Sequence, residues 1–151
     1  FYLRHLLFPT GVLTKKKPTK KQRRDIEFGW RNARAIGELD IGQCVVVRDC
    51  VVLAVEAIEG TDAAILRGGT LAREGAVVVK VRKPGQDFRF DLPATGLTTI
   101  RSLQSVKGAV LAVEANQSLL FDRELMVEEA NKAGIVVVGV SEGEDGSLQM
   151  K

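Results

Sequence analysis

The fold is decided by short, almost uninterrupted apolar stretches, of which VVLAVEA at residues 51–57 is the clearest. A run of this length is typical of a strand that is covered on both faces. A close copy, AVLAVEA, stands at residues 109–115. Two buried strands that use the same small residues explain the copy, and an internal duplication is the alternative. Each copy carries a glutamate, Glu56 or Glu114, and we expect both at one rim of a sheet, where open α/β sheets bind ligands.

Further elements are predicted on either side of these two runs. Strands are predicted at residues 44–47, 76–81, 118–121 and 135–140, and the run 44–47 pairs with 51–57 as a hairpin. Thr19 and Gln22 have the spacing of a capping box, so a helix is predicted from there to Gly37. Shorter helices are predicted at residues 63–67, 98–106 and 123–133. Residues 141–151 are expected to be a frayed polar tail.

This order of elements predicts the α/β class, with α+β as the alternative. We expect a single compact domain with a mixed, mostly buried β-sheet that is flanked by about four helices. A length of 151 residues with 45% hydrophobic content suits one core. Because the chain begins at Phe1, residues 1–18 are expected to be a connector from a missing N-terminal domain, with the domain itself at residues 19–140. No run of eighteen apolar residues indicates a membrane span.

The residue types that are present narrow the chemistry. His5 is the only histidine, and Cys44 and Cys50 are expected to be reduced thiols of a cytoplasmic protein, so catalytic triads and zinc sites have little support. The sequence contains neither a Walker A loop nor a Rossmann glycine fingerprint. Aromatic residues make up 5%, which argues against a stacking platform for nucleic acid. Carboxylates, lysines and arginines remain, and they suit metal-assisted phosphoryl chemistry.

Positive charge is concentrated in a basic cluster at residues 15–24. An anionic membrane surface, a phosphorylated ligand or nucleic acid would each suit such a cluster, and a solvated linker that leads into a helix is the alternative. The net charge of +3 does not choose between them. The members of the basic cluster are Lys15, Lys16, Lys17, Lys20, Lys21, Arg23 and Arg24.

The least generic stretch is KVRKPGQDFRFDLPATG at residues 80–96. It follows an apolar strand and begins with three cations and a Pro-Gly turn. Asp87 and Asp91 come next, before a second proline. Cations and carboxylates on a constrained loop are suited to hold an anion and a metal ion together, whereas a charged hairpin is the alternative. A second candidate loop is EGTD at residues 59–62, where Gly60 allows close approach and the helix start offers N–H groups to a phosphate. Thr61 and Asp62 are also ordinary capping residues.

Three stretches resemble a known family, in order and at suitable distances. They are AIGELDIGQ at residues 35–43, LAVEAIEGTD at 53–62 and VKVRKPGQDFRFDLP at 79–93. Together they resemble the C-terminal half of the LpxI-type UDP-2,3-diacylglucosamine pyrophosphatases. Gly139, after the last apolar run, agrees with the end of that family's domain. The resemblance covers nearly the whole chain, from about residue 7 to residue 140.

The resemblance implies a hydrolase of lipid A (lipopolysaccharide) biosynthesis that is cytoplasmic and peripheral on the inner membrane. Such an enzyme uses Mg²⁺ and hydrolyses UDP-2,3-diacylglucosamine to lipid X (2,3-diacylglucosamine 1-phosphate) and UMP. It holds the substrate between two domains, so this chain alone is expected to have little activity. A binding module for a nucleotide sugar or an anionic lipid, without chemistry, is the alternative. No nucleic-acid partner is expected, and a homodimer is left open.

The resemblance also assigns roles to individual residues. It places the family's essential aspartate at Asp91, with Asp62 as the alternative, and both are expected to be catalytic and to bind Mg²⁺. The residues expected to bind substrate are Gly60, Thr61, Lys80, Lys83, Gln86 and Asp87.

Overall fold

The computed structural model of the protein describes residues 6–85 and 94–151. Its strands are β1 (Gly11–Val12), β2 (Cys44–Arg48), β3 (Val51–Val55), β4 (Val77–Lys80), β5 (Ala94–Thr95), β6 (Val110–Glu114), β7 (Leu119–Leu120), β8 (Val136–Glu142) and β9 (Leu148–Gln149). Its helices are α1 (Lys20–Glu38), α2 (Thr61–Ala72), α3 (Leu97–Ser105) and α4 (Arg123–Ala133). Strands and helices alternate through most of the chain, which confirms the prediction of a single α/β domain with four helices in its described part. None of these helices is long and apolar enough to cross a bilayer.

The direction of the strands brings their ends to one edge of the main sheet. The strand order is β1-β8-β6-β4-β2-β3, and β9 pairs with β8. β4, β6 and β8 are parallel, and β2 is antiparallel to both β4 and β3. Consequently β3, β4, β6 and β8 all end at the same edge. We call this edge, which carries Glu56, Lys80 and Glu114, the carboxyl edge.

Helices cover both faces of the sheet. On one face, Ile65 of α2, Leu103 of α3 and Met126 of α4 are fully buried in one core. On the other face, α1 buries Ile26 and Trp30 in a second core. The predicted capping box that starts α1 is present, since Gln22 and Thr19 exchange backbone-to-side-chain hydrogen bonds. The sheet is therefore the middle layer of three.

The apolar stretch at residues 51–57 contains β3, which is less buried than expected. β3 is at one end of the sheet, and Val51 is 54% exposed, but Leu53 and Ala54 pack against one core and Val52 and Val55 against the other, so both faces of this strand are covered in part. The similar stretch in β6 lies in the interior of the sheet, and Leu111 and Val113 are buried. Nearly the same residues therefore serve as an edge strand and as a central strand, because tertiary context decides which faces are covered.

Both terminal segments of the described chain pair with the main sheet, which the sequence does not indicate. The prediction of a frayed tail was wrong, because β8 continues to Glu142 and pairs antiparallel with β9, with Asp145 accepting hydrogen bonds from Ser147 in the turn. In the expected connector, Phe8 is buried in the core and β1 pairs with β8. The boundary at residue 18 remains a prediction, but the segment before it takes part in the sheet.

α2 is longer than predicted because it passes through Gly68 and Gly69 without ending. A Cβ added at Gly68 would lie 2.5 Å from Cβ of Val46, and one at Gly69 would lie 2.7 Å from Cβ of Val106. The two glycines therefore allow α2 to pack closely on β2 and on the end of α3. This contact fixes the start of α2 at the carboxyl edge.

Candidate functional site

Glu56 and Glu114, the two glutamates at strand exits, both lie at the carboxyl edge, as predicted. Glu56 is 5% exposed and directly follows β3. Its Oε1 accepts a hydrogen bond from the Gln43 backbone N–H at 2.9 Å, and its Oε2 accepts one from Thr61 Oγ1 at 2.9 Å. Glu56 therefore ties the loop before β2 to the first turn of α2.

The loop before β2 lies directly against Glu56. A Cβ added at Gly42 would lie 2.0 Å from the Glu56 carbonyl oxygen. Any side chain at this position would push the loop away from the strand exit. Gly42 is thus required by close backbone approach, in one of the stretches that carry the family resemblance.

The start of α2 is open to a ligand. Gly60 is the N-cap residue with φ of +94°, and no atom of the described residues lies within 4 Å of the place where its Cβ would be. In the described part of the chain no side chain caps this helix, because the N-cap residue is a glycine, and the hydroxyl of Thr61 donates to Glu56. Uncapped N–H groups at a helix start favour an anion. The capping interpretation of Thr61 and Asp62 is therefore not what the structure shows.

Asp62 and Lys80 complete this part of the edge. Asp62 is half-buried, and its Oδ1 accepts a hydrogen bond from Ser102 Oγ at 3.2 Å. Lys80 is 8% exposed, and its Nζ donates to the Ala94 carbonyl oxygen at 3.4 Å. A lysine that is buried to this extent is uncommon in proteins.

Cys44 lies near Glu56, Asp62 and Lys80. Burial raises the pKa of its thiol to about 12, Glu56 and Asp62 contribute to the rise, and Lys80 opposes it. The Cys44 carbonyl oxygen also accepts the Glu56 N–H at 2.9 Å. We therefore treat Cys44, Glu56, Asp62 and Lys80 as one group, the Lys80 cluster. Because Cys44 is a buried, protonated thiol, it is not a nucleophile.

A second group of charges lines a cavity of about 300 Å³ at the carboxyl edge. Glu114 accepts a hydrogen bond from the Arg82 N–H at 2.9 Å and forms an ion pair with Arg34. Lys83 is paired with Asp40, with 3.2 Å between Nζ and Oδ1. We call this group, which consists of Arg34, Arg82, Lys83, Glu114 and Gln117, the arginine pocket.

The structure brings together four of the residues predicted from the sequence. Gly60, Thr61, Asp62 and Lys80 lie around the start of α2 and the end of β4, and Lys83 lies in the arginine pocket. Gln86, Asp87 and Asp91 lie outside the described residues, and their roles remain predictions.

Sequence reasoning missed Arg34 and Ser102 as residues of the carboxyl edge. Arg34 stands one helical turn after Trp30, and its guanidinium lies 4.9 Å from the centre of that ring. That spacing is a signal in the sequence for a cation on an aromatic face. Nothing in the sequence indicates that Ser102 donates to Asp62, since the contact joins two separate helices.

The described residues suit only one kind of Mg²⁺ site. They contain no group of three or more His, Cys, Asp or Glu side chains that would form a metal cage. Both oxygens of Glu56 already accept hydrogen bonds from the protein. Mg²⁺ is commonly held by one or two carboxylates together with phosphates of the substrate and water. Asp62 fits a site of that kind.

Comparison with known proteins identifies the family. Residues 9–138 match the family model described as the LpxI C-terminal domain. The chain belongs to the LpxI C-terminal domain family. It is 39% identical over 143 residues to the UDP-2,3-diacylglucosamine pyrophosphatase LpxI of Caulobacter vibrioides. That match covers 89% of this chain and 51% of the relative, so the chain spans about half the length of the curated relative.

The basic cluster lies away from the carboxyl edge of this LpxI C-terminal domain. Lys21 forms an ion pair of 2.5 Å with Asp49 in the β2–β3 turn, which is at the opposite edge of the sheet. Lys21 and Arg34 are thirteen positions apart in α1, which corresponds to roughly 20 Å along the helix axis. The basic cluster and the Lys80 cluster therefore belong to different surfaces.

The burial of Cys44 predicts how the two thiols react. At pH 8 we expect Ellman's reagent to label the exposed Cys50 more slowly than a free cysteine, because desolvation and a hydrogen bond with Asp25 raise its pKa. Cys44 should not be labelled, because it is inaccessible and its pKa is about 12. In urea, both should react.

The two single-cysteine variants provide the controls for this measurement. Cys44→Ala should keep the labelling of the folded chain, and Cys50→Ser should lose it. Fast labelling of folded Cys50→Ser would show that Cys44 is exposed and that the packing of the Lys80 cluster is wrong.

Proposed function

We propose that this LpxI C-terminal domain supplies the hydrolytic centre of a UDP-2,3-diacylglucosamine pyrophosphatase. The reaction cleaves the diphosphate of UDP-2,3-diacylglucosamine and gives lipid X and UMP. The observation that carries the proposal is the convergence of Asp62, Lys80 and the uncapped start of α2 at the carboxyl edge. The name of the curated relative supports the choice of substrate.

Each part of the Lys80 cluster has a task in this proposal. The Lys80 ammonium has three donors, and only one is taken by the Ala94 carbonyl among the described contacts. The other donors are available to oxygens of the diphosphate. Backbone N–H groups at the start of α2 bind a second set of oxygens, and Gly60 leaves room for them. Glu56 acts through Thr61 by holding that helix start in place.

Mg²⁺ is part of the proposal, with Asp91 and Asp62 as its protein ligands. When bound, Mg²⁺ would neutralise charge on the diphosphate and lower the pKa of a bound water. The protein's own contribution is to place carboxylates and cations around one anion. The Ser102 hydroxyl donates a hydrogen bond to Oδ1 of Asp62 and so orients this carboxylate for metal binding.

The remaining parts of the proposal concern partners. We propose that an N-terminal domain closes over the carboxyl edge, in keeping with the half of the curated relative that this chain does not span. We also propose that the basic cluster holds the protein on the anionic cytoplasmic face of the inner membrane. The basic cluster and the Lys80 cluster lie at opposite edges of the sheet, so the basic cluster can face lipid while substrate is bound.

The test of the catalytic centre uses single substitutions in the full-length enzyme. Asp91→Asn and Asp62→Asn should each lower the rate of UMP release by at least about a hundredfold, because loss of a metal-binding carboxylate removes charge stabilisation of the transition state. EDTA should abolish the reaction, and added Mg²⁺ should restore it.

Asp145→Asn is the matched control, since Asp145 lies in the exposed β8–β9 turn, and it should keep the normal rate. Normal turnover of both Asp91→Asn and Asp62→Asn would contradict the assignment. Saturable binding without any turnover in the full-length protein would favour a binding module instead.

The membrane contact is tested by pelleting the chain with lipid vesicles. We expect binding to vesicles that contain phosphatidylglycerol and none to pure phosphatidylcholine, with a loss of binding as salt rises, because the attraction is screened. The triple substitution of Lys15, Lys16 and Lys17 by Gln should weaken binding to the anionic vesicles. Unchanged binding of that variant would remove the basic cluster from the proposal.

A further inference from the structure

A narrow crevice opens at the carboxyl edge where β4 and β6 separate. The last residues that pair these two strands are Lys80 and Val113. Beyond this pair, the Val81 N–H donates to the segment before β2, and the Ala115 N–H donates to β8, each at 2.8 Å. The two chains therefore follow different neighbours, and a gap remains between them. We call this gap, which is lined in part by Lys80 and Ser118, the fork crevice.

The ammonium group of Lys80 has few partners for a buried charge. Its Nζ donates one hydrogen bond, to the Ala94 carbonyl oxygen, and the distance of 3.4 Å is longer than the usual range of about 2.7–3.2 Å. Lys80 forms no ion pair with a carboxylate of the described residues. An ammonium has three donors, and burying them without acceptors is unfavourable. The charge of Lys80 therefore requires a further acceptor nearby.

Ser118 has the complementary deficit in the same crevice. It is 4% exposed, and its Oγ has no hydrogen-bond partner among the described residues. Its backbone is fixed, because its carbonyl oxygen accepts the N–H of the fully buried Phe8 at 2.9 Å. Buried hydroxyl groups are nearly always bonded to protein or to ordered water. The hydroxyl of Ser118 is thus held in place beside a cation that it does not bond directly.

The fork crevice has the size of a single water molecule. Its volume is about 10 Å³, close to the minimum that one buried water needs and far too small for a phosphate group or a sugar ring. A water oxygen accepts from an ammonium, and a water O–H donates to a hydroxyl oxygen. One water therefore satisfies Lys80 and Ser118 together. Glu114 and Gln117 also line the crevice and supply further polar surface.

We propose that one buried water fills the fork crevice, where it accepts a hydrogen bond from Lys80 Nζ and donates one to Ser118 Oγ. Ser118 is then a positioning residue, because through the water it holds the ammonium of Lys80 at the carboxyl edge. The water is independent of any ligand. Only the task of Lys80 toward a diphosphate rests on the proposed function.

Urea unfolding of the 151-residue chain distinguishes a bridged hydroxyl from an unpaired one. With the water in place, Ser118→Ala breaks a buried hydrogen bond and should lower the folding equilibrium constant about fivefold. An unpaired hydroxyl costs stability, so its removal would leave the chain equally stable or more stable. A Ser118→Ala chain at least as stable as the wild type would overturn the proposal.

Thr95→Val is the matched control for the urea measurement. Thr95 is 2% exposed, its Oγ1 also lacks a partner among the described residues, and it does not line the fork crevice. Thr95→Val should therefore keep or raise the stability. In a Lys80→Met chain, Ser118→Ala should cost nothing further, because the water has lost its cationic donor. The same fivefold loss in both backgrounds would contradict a bridge to Lys80.

A crystal structure of the wild-type chain without ligand gives a second measurement that does not depend on any variant. It should show an ordered water about 2.7–3.2 Å from both Lys80 Nζ and Ser118 Oγ. An empty crevice would refute the water. An oxygen that appears there only after UDP is soaked into the crystal would refute it as well, and would assign the crevice to the ligand.

Binding of UDP to the same chain tests the positioning role of Ser118. Ser118→Ala should weaken UDP binding about three- to tenfold, and it should have no effect in the Lys80→Met background. A fold-wide effect of Ser118→Ala would weaken binding in both backgrounds, and equal affinity of wild type and Ser118→Ala would exclude the role. If the wild-type chain does not bind UDP, the proposed function fails, while the urea and crystal results still decide the water.

Discussion

The arrangement of the carboxyl edge depends on the buried carboxylate of Glu56. Its two oxygens accept from the backbone before β2 and from the hydroxyl of Thr61, so one side chain joins a loop and a helix to the end of β3. Leaving a buried acceptor without its hydrogen bond costs about 1–3 kcal/mol, which makes these hydrogen bonds hard to break. The start of α2, with Gly60 and Asp62, is consequently held beside Lys80. The ligand-facing atoms are therefore positioned before any ligand arrives.

The carboxyl edge has two charged parts with different compositions. The Lys80 cluster combines one cation with two carboxylates and an uncapped helix start, which suits a diphosphate together with a metal ion. In the arginine pocket, Arg34 is paired with Glu114 and Lys83 with Asp40. The basic cluster lies at the opposite edge and has no part in either.

Much of the fold was predictable from the sequence, because the patterns that indicate it are local. The capping box of α1, the strand order along the chain and the glutamates at strand exits all follow from spacing and apolar runs. The edge position of β3 and the pairing of β9 with β8 depend on tertiary contacts that no local pattern contains. For the same reason Ser102 and Arg34 were missed, since each meets its partner across two elements. Asp91 was assigned by family resemblance and remains a prediction.

The central claim is that the carboxyl edge is where the ligand binds. The most direct measurement is the change in backbone amide NMR shifts of the ¹⁵N-labelled chain when UDP is added. The account predicts changes at residues 42–43, 60–62, 80–85 and 94–97, with residues 15–24 and the β2–β3 turn unaffected. Changes confined to residues 15–24 and that turn, with none at the carboxyl edge, would contradict it.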